Sequence, residues 1–207
     1  MKSYIHLIRH GITEGNKKQW YYGWTDLPLL EEGIEELKYL KEENIYPEID
    51  EDTRIITSGL LRTQQTLETI YGEHKPDIMR DLMEWNCGEF ECKTYYELKD
   101  KYKDYFENES LDTRVPGGES KRELYTRVNN GFDKLLTDHQ LLMVKLRNRP
   151  KDAVTLAVVH GAVISSIMSR LFGDGIEDKE FWKWIPKPGR GYTIIMEDGS
   201  IEGYEKI

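Results

Sequence analysis

The stretch SYIHLIRHG, residues 3–11, decides how the rest of the chain is interpreted. Its apolar run ends in Arg9-His10-Gly11, and a second apolar run, residues 153–159, ends in His160-Gly161. Short apolar runs of this kind are typical of buried strands. Because the carboxyl ends of neighbouring parallel strands open into one crevice, we expect the two histidines to meet there with Arg9 beside them. The pattern predicts a binding site for an anion at that edge of the sheet.

The residue types at this edge suit phosphoryl transfer. A neutral imidazole can attack phosphorus, and a guanidinium holds phosphoryl oxygens through charge-assisted hydrogen bonds of roughly 1.5–3 kcal/mol each. The reference pKa of histidine is about 6.5, and a nearby arginine lowers it by like-charge repulsion. We therefore expect His10 to be largely neutral at physiological pH and available as a nucleophile. A single histidine after an apolar run is more often structural, so the hypothesis depends on the pair.

Length and charge narrow the class of protein. The chain has 207 residues, enough for one α/β domain, and its formal net charge of −9 repels nucleic acid phosphates over most of the surface. We therefore expect a local cationic pocket for a small phosphorylated metabolite, with neither nucleic acid nor membrane as partner. No apolar run approaches the ~20 residues of a bilayer span, and Lys2, His6 and Arg9 interrupt the amino-terminal run. A cytoplasmic monomer or homodimer is the expectation.

The two cysteines, Cys87 and Cys92, are too few for a disulfide framework. They also lack partner cysteines and histidines at the spacing of zinc ligands. We expect ordinary thiols and a protein that needs no metal and no cofactor.

Strands and helices alternate along most of the chain. The predicted strands are residues 3–9, 54–57, 153–159, 191–197 and 201–206, of which the last two form a hairpin through Asp198-Gly199. The predicted helices cover about 31–43, a segment that Ser58 caps, a segment from the capping box at Ser120–Glu123 to about 148, and one that starts at Gly161. Residues 80–118 break the alternation. The sequence predicts a three-layer α/β/α sandwich with a mostly parallel sheet, a single domain over 1–207, and 80–118 as a cap over the active site.

Two local features have two interpretations each. The loop at residues 20–24 carries Trp20, Tyr21, Tyr22 and Trp24, whose rings either pack beneath the loop or line a substrate pocket. Arg62 falls in the first turn of the helix after Ser58, where the helix dipole disfavours a cation. It is therefore either a solvated surface charge or a ligand for an anion.

Six motifs occur in a fixed order. They are LIRHGITEGN at 7–16, YGWTDLPL at 22–29 followed by Gly33, SGLLRTQQT at 58–66, Glu84 with Gly88, PGGES at 116–120, and His160-Gly161. Together they resemble the histidine phosphatase superfamily, on its phosphoglycerate mutase-like branch, over nearly the whole chain. The loop at 22–26 is also similar to that of α-ribazole phosphatases.

The resemblance implies a phosphohistidine mechanism. His10 would attack the phosphoryl group while Arg9, Arg62 and His160 hold its oxygens, and Asn16 and Gly161 would complete the phosphate-binding set. Glu84 would give a proton to the leaving group and then, as a carboxylate, take one from the water that hydrolyses phosphorylated His10. The acid phosphatase branch carries His-Asp where this chain has His160-Gly161, so the acid is placed at Glu84.

Two departures from the family pattern bear on the substrate. Trp20 lies ten residues after His10, where many relatives have an arginine, and Ser166 lies in a segment where several carry one. Without an arginine at these two positions, recognition of a second acidic group on the substrate is in doubt. The sequence therefore favours a phosphatase for small phosphomonoesters. The alternatives are a cofactor-dependent phosphoglycerate mutase and a catalytically decayed module that binds phosphate.

Overall fold

A mixed sheet places the two histidine-bearing strands side by side. The structure is a computed structural model, and it describes residues 1–177 and 181–207. Within these residues the sheet has six strands in the order β3-β2-β4-β1-β5-β6. The strands are β1 (Lys2–Arg9), β2 (Arg54–Thr57), β3 (Asp77–Ile78), β4 (Ala153–Val159), β5 (Gly191–Glu197) and β6 (Ser200–Lys206). Strands β1 and β4 pair in parallel from Ser3 opposite Ala153 to Arg9 opposite Val159, so His10 and His160 follow at the same edge.

Helices cover both faces of this sheet. The described α-helices are α1 (Glu14–Lys18), α2 (Glu31–Glu42), α3 (Leu61–Tyr71), α4 (Tyr95–Leu98), α5 (Lys103–Glu107), α6 (Lys121–Leu146) and α7 (Gly161–Phe172). Leu7 of β1 packs with the apolar faces of α6 and α7, whereas Ile8 packs with α2 and α3. Successive strand residues point to opposite faces, so one strand contributes to both cores. The predicted three-layer α/β/α sandwich with a mostly parallel sheet is confirmed.

Most strands and helices begin and end where the sequence predicts. All five predicted strands are present within one residue of the expected bounds, and α2 ends one residue earlier than expected. The capping box of α6 is confirmed, since Ser120 Oγ accepts from the Glu123 N–H at 3.1 Å and Glu123 Oε2 accepts from the Ser120 N–H at 2.9 Å. None of the helices among the described residues combines the length and apolar character needed to cross a bilayer.

The prediction that Ser58 caps a helix is wrong. Helix α3 begins at Leu61, and Leu60 in the N-cap position provides no side-chain hydrogen bond. The first N–H of the helix instead donates to Asp26 Oδ1 at 2.7 Å, from a loop 35 residues earlier in the chain. The Ser58 hydroxyl is thereby free to bind His160. A long-range carboxylate has replaced the local cap.

Four short elements, β3, α1, α4 and α5, were not predicted. Strand β3 has two exposed residues beside β2, too few for any periodic pattern. Helix α1 lies between β1 and the loop at residues 20–24, and Thr13 and Asn16 form its capping box. The 80–118 segment contains α4 and α5 with short 3₁₀ turns around its own apolar cluster of Cys87, Phe90, Leu98 and Val115.

Candidate active site

A cavity of about 370 Å³ lies at the carboxyl ends of β1 and β4. Parallel strands, the loop before α2, the 80–118 segment and the start of α7 all contribute to its wall. The residues that line it are Arg9, His10, Gly15, Asn16, Gln19, Trp20, Tyr21, Tyr22, Glu84, Trp85, Cys87, Gly161, Ala162, Trp182 and Ile185. The cavity thus joins residues that are far apart in sequence, at the edge where the sequence predicts a site.

His10 lies in this wall with a fixed tautomer. Its backbone N–H donates to the Val159 carbonyl of β4 at 3.0 Å, which ties it to the neighbouring strand. Its Nδ1 lies 2.7 Å from the Gly11 carbonyl oxygen. Since a carbonyl oxygen only accepts, Nδ1 carries the ring proton and Nε2 keeps its lone pair. Burial, and then the charges of Arg62 and Arg9, hold the pKa of His10 well below its usual range. The ring is therefore neutral and nucleophilic at physiological pH.

Arg9 lies beside His10 and faces the same cavity. One Nη of Arg9 donates to the Pro186 carbonyl at 2.8 Å, while Nε is buried with no hydrogen-bond partner among the described residues. The guanidinium packs against Gly161 at the start of α7. A Cβ at that glycine would lie 3.1 Å from Ile185 Cγ2 and 3.3 Å from Arg9 Nε. Gly161 therefore provides the space in which Arg9 lies.

Arg62 is fully buried, so the interpretation as a solvated surface charge is wrong. Its two Nη groups donate to the carbonyls of Thr25 at 3.0 Å and Gly23 at 2.6 Å. Its Nε donates to His160 Nδ1 at 3.3 Å. The structure therefore fixes Arg62 from both sides, between the loop that precedes α2 and the second histidine.

His160 lies behind His10, with the two ring centroids 5.3 Å apart. Because Nδ1 accepts from Arg62, Nε2 carries the proton and donates to Ser58 Oγ at 2.8 Å. Burial and the nearby cationic Arg62 hold the pKa of His160 well below its usual range. The structure brings His160 into the predicted cluster, where both ring nitrogens bind protein groups.

Glu84 comes from the 80–118 segment and contacts the start of α7 directly. Its Oε1 accepts from the Trp85 N–H at 2.8 Å, and its Oε2 accepts from the Ala162 N–H at 3.1 Å. Ala162 is the second residue of α7, so the carboxylate lies at the amino end of the helix that begins next to His160. Two backbone hydrogen bonds thus orient Glu84 at the cavity wall.

Asn16 also lines the cavity, but its side-chain oxygen is already engaged. Asn16 Oδ1 accepts from both the backbone N–H and the hydroxyl of Thr13, each at 3.0 Å. These bonds close the capping box of α1. Only the amide NH₂ of Asn16 is left to donate to a bound oxygen.

The aromatic residues of the loop at 20–24 fall into two groups. Trp20, Tyr21 and Tyr22 line the cavity. Trp24 points elsewhere, and its indole N–H donates to the Glu84 backbone carbonyl at 3.0 Å. The ring of Tyr22 also lies 5.2 Å from the Arg62 guanidinium carbon.

Glu91 is a residue that sequence reasoning missed. Its carboxylate accepts from the N–H groups of Gly23 at 3.0 Å, Trp24 at 2.9 Å and Thr25 at 3.2 Å. The carbonyls of Gly23 and Thr25 in turn hold Arg62. A single carboxylate from the 80–118 segment therefore fixes the loop that orients Arg62.

Gly23 provides the one sequence signal for this arrangement. A Cβ at Gly23 would lie 1.7 Å from the Trp85 carbonyl oxygen, so only glycine allows the loop to approach the 80–118 segment this closely. The glycine indicates a tight approach, but nothing near Glu91 in sequence indicates which segment approaches.

The fold and the cluster of two histidines and two arginines define a class of proteins that act on phosphoryl groups. The family model of the histidine phosphatase superfamily (branch 1) matches residues 5–202. The chain belongs to this superfamily, whose members are phosphatases or mutases.

Similar proteins carry two kinds of name. A protein of Escherichia coli O1:K1 / APEC, named "Probable phosphoglycerate mutase GpmB", is 30% identical over 178 residues, which cover 82% of this chain and 74% of that protein. The crystal structure of the α-ribazole phosphatase from Shigella flexneri matches with a TM-score of 0.76 and 23% identity, over 96% of this chain and 93% of that one. A phosphoglycerate mutase from Thermus thermophilus matches with a TM-score of 0.63 and 24% identity, over 97% of each chain. At these identities the two structures establish the fold alone.

Proposed function

We propose that this protein is a phosphatase that hydrolyses a small phosphomonoester through a phosphohistidine intermediate. The observation that carries the proposal is the tautomer of His10. Its Nδ1–H is held by the Gly11 carbonyl, so Nε2 keeps a lone pair in a ring that burial and the neighbouring cations keep neutral. A neutral, oriented imidazole at the wall of a cavity is what attack on phosphorus requires.

The first half of the reaction transfers the phosphoryl group to the protein. His10 Nε2 forms a bond to phosphorus, and the ester P–O bond breaks. Protonated Glu84 gives its proton to the departing oxygen, which leaves as an alcohol. Arg9 and Arg62 stabilise the phosphoryl oxygens, to which the Asn16 amide also donates. His160 joins them when its Nε2–H exchanges Ser58 Oγ for a phosphoryl oxygen. Gly161 contributes by leaving room for Arg9.

The second half returns the protein to its starting state. The Glu84 carboxylate takes a proton from a water molecule whose oxygen attacks phosphorus. The P–N bond breaks, inorganic phosphate leaves, and His10 is neutral again with Glu84 protonated. No metal and no cofactor is required for either half. We take the 80–118 segment to be the cap insertion of a single domain, 1–207, because it brings Glu84 and Trp85 to the cavity.

The charge of the cavity favours hydrolysis over isomerisation. A mutase must hold a second acidic group while its intermediate reorients. Among the described residues that line the cavity, Arg9 is the one with a cationic side chain. We therefore favour a phosphatase for a small metabolite. We take it to be a cytoplasmic monomer or homodimer, without nucleic acid or membrane as partner.

Phosphoglycerate mutase is the second candidate, because relatives at 30% identity carry that name. The α-ribazole phosphatase structures make α-ribazole phosphate a further candidate substrate. A panel of phosphorylated metabolites that includes both compounds would rank these possibilities. Mutase activity would appear as isomerisation of phosphoglycerate that depends on added bisphosphoglycerate.

The proposal is tested by trapping the intermediate. We expect the wild-type protein to hydrolyse 4-nitrophenyl phosphate in the presence of EDTA and to form an acid-labile phosphoenzyme on rapid quenching. H10A should lose both properties while keeping its circular dichroism spectrum. The control is H74A, because His74 is exposed and lies outside the cavity. Undiminished turnover by H10A contradicts the assignment, and phosphate binding without any phosphoenzyme would identify the decayed binding module.

A further inference from the structure

We propose that the outer part of the cavity is a subsite for a flat, uncharged aromatic leaving group. The inference deepens the proposed function and depends on it for the position of the phosphoryl group beside His10. Four aromatic residues carry it, namely Trp20, Tyr21, Trp85 and Trp182, all of which line the cavity. The favoured substrates are then phosphomonoesters of neutral, ring-bearing alcohols.

Other parts of the protein hold these rings in place. The Trp85 indole N–H donates to the Glu119 carbonyl at 2.9 Å. The Trp85 and Trp182 ring centroids lie 6.4 Å apart, with 31° between the ring planes. Tyr21 packs edge-on against Phe90 at 5.7 Å, inside the aromatic cluster of the 80–118 segment. Rings that are fixed before binding lose little conformational freedom when a ligand stacks on them.

Two cations among the described residues lie against these rings, and each is already paired with a carboxylate. Lys18 lies 4.7 Å from the centre of the Trp20 ring and pairs with Glu14 at 2.6 Å. Lys121 lies 5.6 Å from the Trp182 ring and pairs with Glu109 at 3.0 Å. Arg9, the one cation among the described lining residues, is at the phosphate end. A carboxylate on the leaving group would therefore lose its hydration without gaining an unpaired cation from Lys18 or Lys121.

The same contacts argue against a cationic leaving group. Aromatic rings also attract quaternary ammonium groups, and that chemistry competes with stacking. The ammonium groups of Lys18 and Lys121 already occupy one face of Trp20 and of Trp182 and would repel a third cation. An uncharged ring meets no such repulsion, and offset stacking favours it on the remaining faces.

The test measures binding of phosphonates, which cannot be cleaved, by calorimetry on the wild-type protein. The probes are 1-naphthylmethylphosphonate, 3-phosphonopropanoate and a phosphonate with a trimethylammonium group. We expect the naphthyl compound to bind at least about tenfold more tightly than either charged compound, because aromatic contacts add to its affinity. Equal affinities, or a preference for either charged probe, would overturn the inference.

Two substitutions assign that preference to the rings. W182L should abolish it, and this change is tolerable because the Trp182 side chain is 40% exposed. The matched control is Y96L, since Tyr96 is 76% exposed and lies outside the cavity. In W20R the added cation should shift the preference toward the carboxylate probe. A W182L protein that keeps the full preference contradicts the assignment. Because no probe can transfer its phosphoryl group, failure to form a phosphoenzyme would overturn the proposed function without affecting this result.

Discussion

The two halves of the cavity are built from different kinds of structure. The strand-end half has Arg9 and His10 in the cavity wall, while Arg62 and His160 are fully buried next to them and do not line it. These four residues follow β1 and β4 or belong to the first turn of α3, and backbone carbonyls hold Arg9, His10 and Arg62. The outer half consists of aromatic rings from a loop, from the 80–118 segment and from residue 182. Under the proposed function, residues at the ends of regular elements carry the group that reacts, and irregular segments provide the surface that selects a substrate. A change in the first half should slow all substrates by one factor, whereas a change in the second should alter their ratio.

Glu84 is the strongest test of this division, because it comes from the 80–118 segment yet binds the amino end of α7. E84Q keeps the size of the side chain but cannot donate or take up a proton. We expect turnover to fall by roughly 10²- to 10⁴-fold for alkyl phosphates, the usual contribution of a positioned acid or base. The dissociation constant of inorganic phosphate should change little.

The choice of substrate separates the two steps that Glu84 serves. With 4-nitrophenyl phosphate, whose leaving group needs no proton, E84Q should still be phosphorylated and should release a burst of one nitrophenol per active site. Slow hydrolysis would follow, because the base for water is missing. Turnover of E84Q at the wild-type rate would remove Glu84 from the mechanism.

Gly161 tests how tightly the strand-end half is packed. In G161A the new Cβ would lie 3.1 Å from Ile185 Cγ2 and 3.3 Å from Arg9 Nε, so these neighbours must give by a few tenths of an ångström. A displacement on the order of 1 Å can cost about 10²-fold in rate. We expect kcat/KM to fall by up to that factor and equally for aromatic and charged esters. The control is G203A in β6, where a Cβ meets nothing within 4 Å. Unequal losses among substrates would show that the two halves are not independent.

Glu91 connects the two halves, since it holds the loop whose carbonyls hold Arg62. E91Q keeps one acceptor oxygen and loses the charge that strengthens the bonds to the loop N–H groups. Bonds to charged groups contribute roughly 1.5–3 kcal/mol, so partial loss should weaken phosphate binding and kcat/KM by about tenfold. The preference for a naphthyl over a carboxylate probe should not change. E97Q, which alters an exposed carboxylate of the same segment, is the control. A change in melting temperature with unchanged kinetics would limit Glu91 to a purely structural role.

The sequence predicts the strand-end half better than the outer half, and the reason is the range of the interactions. Apolar runs that end in Arg9-His10 and His160 are local patterns, and parallel pairing follows from them. The environment of Arg62 is set by carbonyls 37 and 39 residues away, so its sequence position alone allowed two interpretations. The local sequence assigns Ser58 to a helix cap and does not reveal its actual partner, His160, which is 102 residues distant. Glu91 meets a loop about 67 residues away, which no local pattern reveals.

The pKa of His10 gives the prediction with the smallest expected effect. Burial and the charges of Arg62 and Arg9 disfavour its protonated form, so its pKa is lowered. Falling pH should therefore leave the ring neutral through the reference value of about 6.5 and protonate it only well below that value. Long-range ¹H–¹⁵N spectra of the imidazole should show no titration between pH 8 and 6.5. In R62Q one source of repulsion is gone, and the pKa of His10 should rise toward its ordinary value. R170Q is the control, because Arg170 pairs with Asp133 on α6 and is absent from the groups that act on His10. Titration of His10 near pH 6.5 in the wild-type protein would show that the strand-end half does not keep its nucleophile neutral.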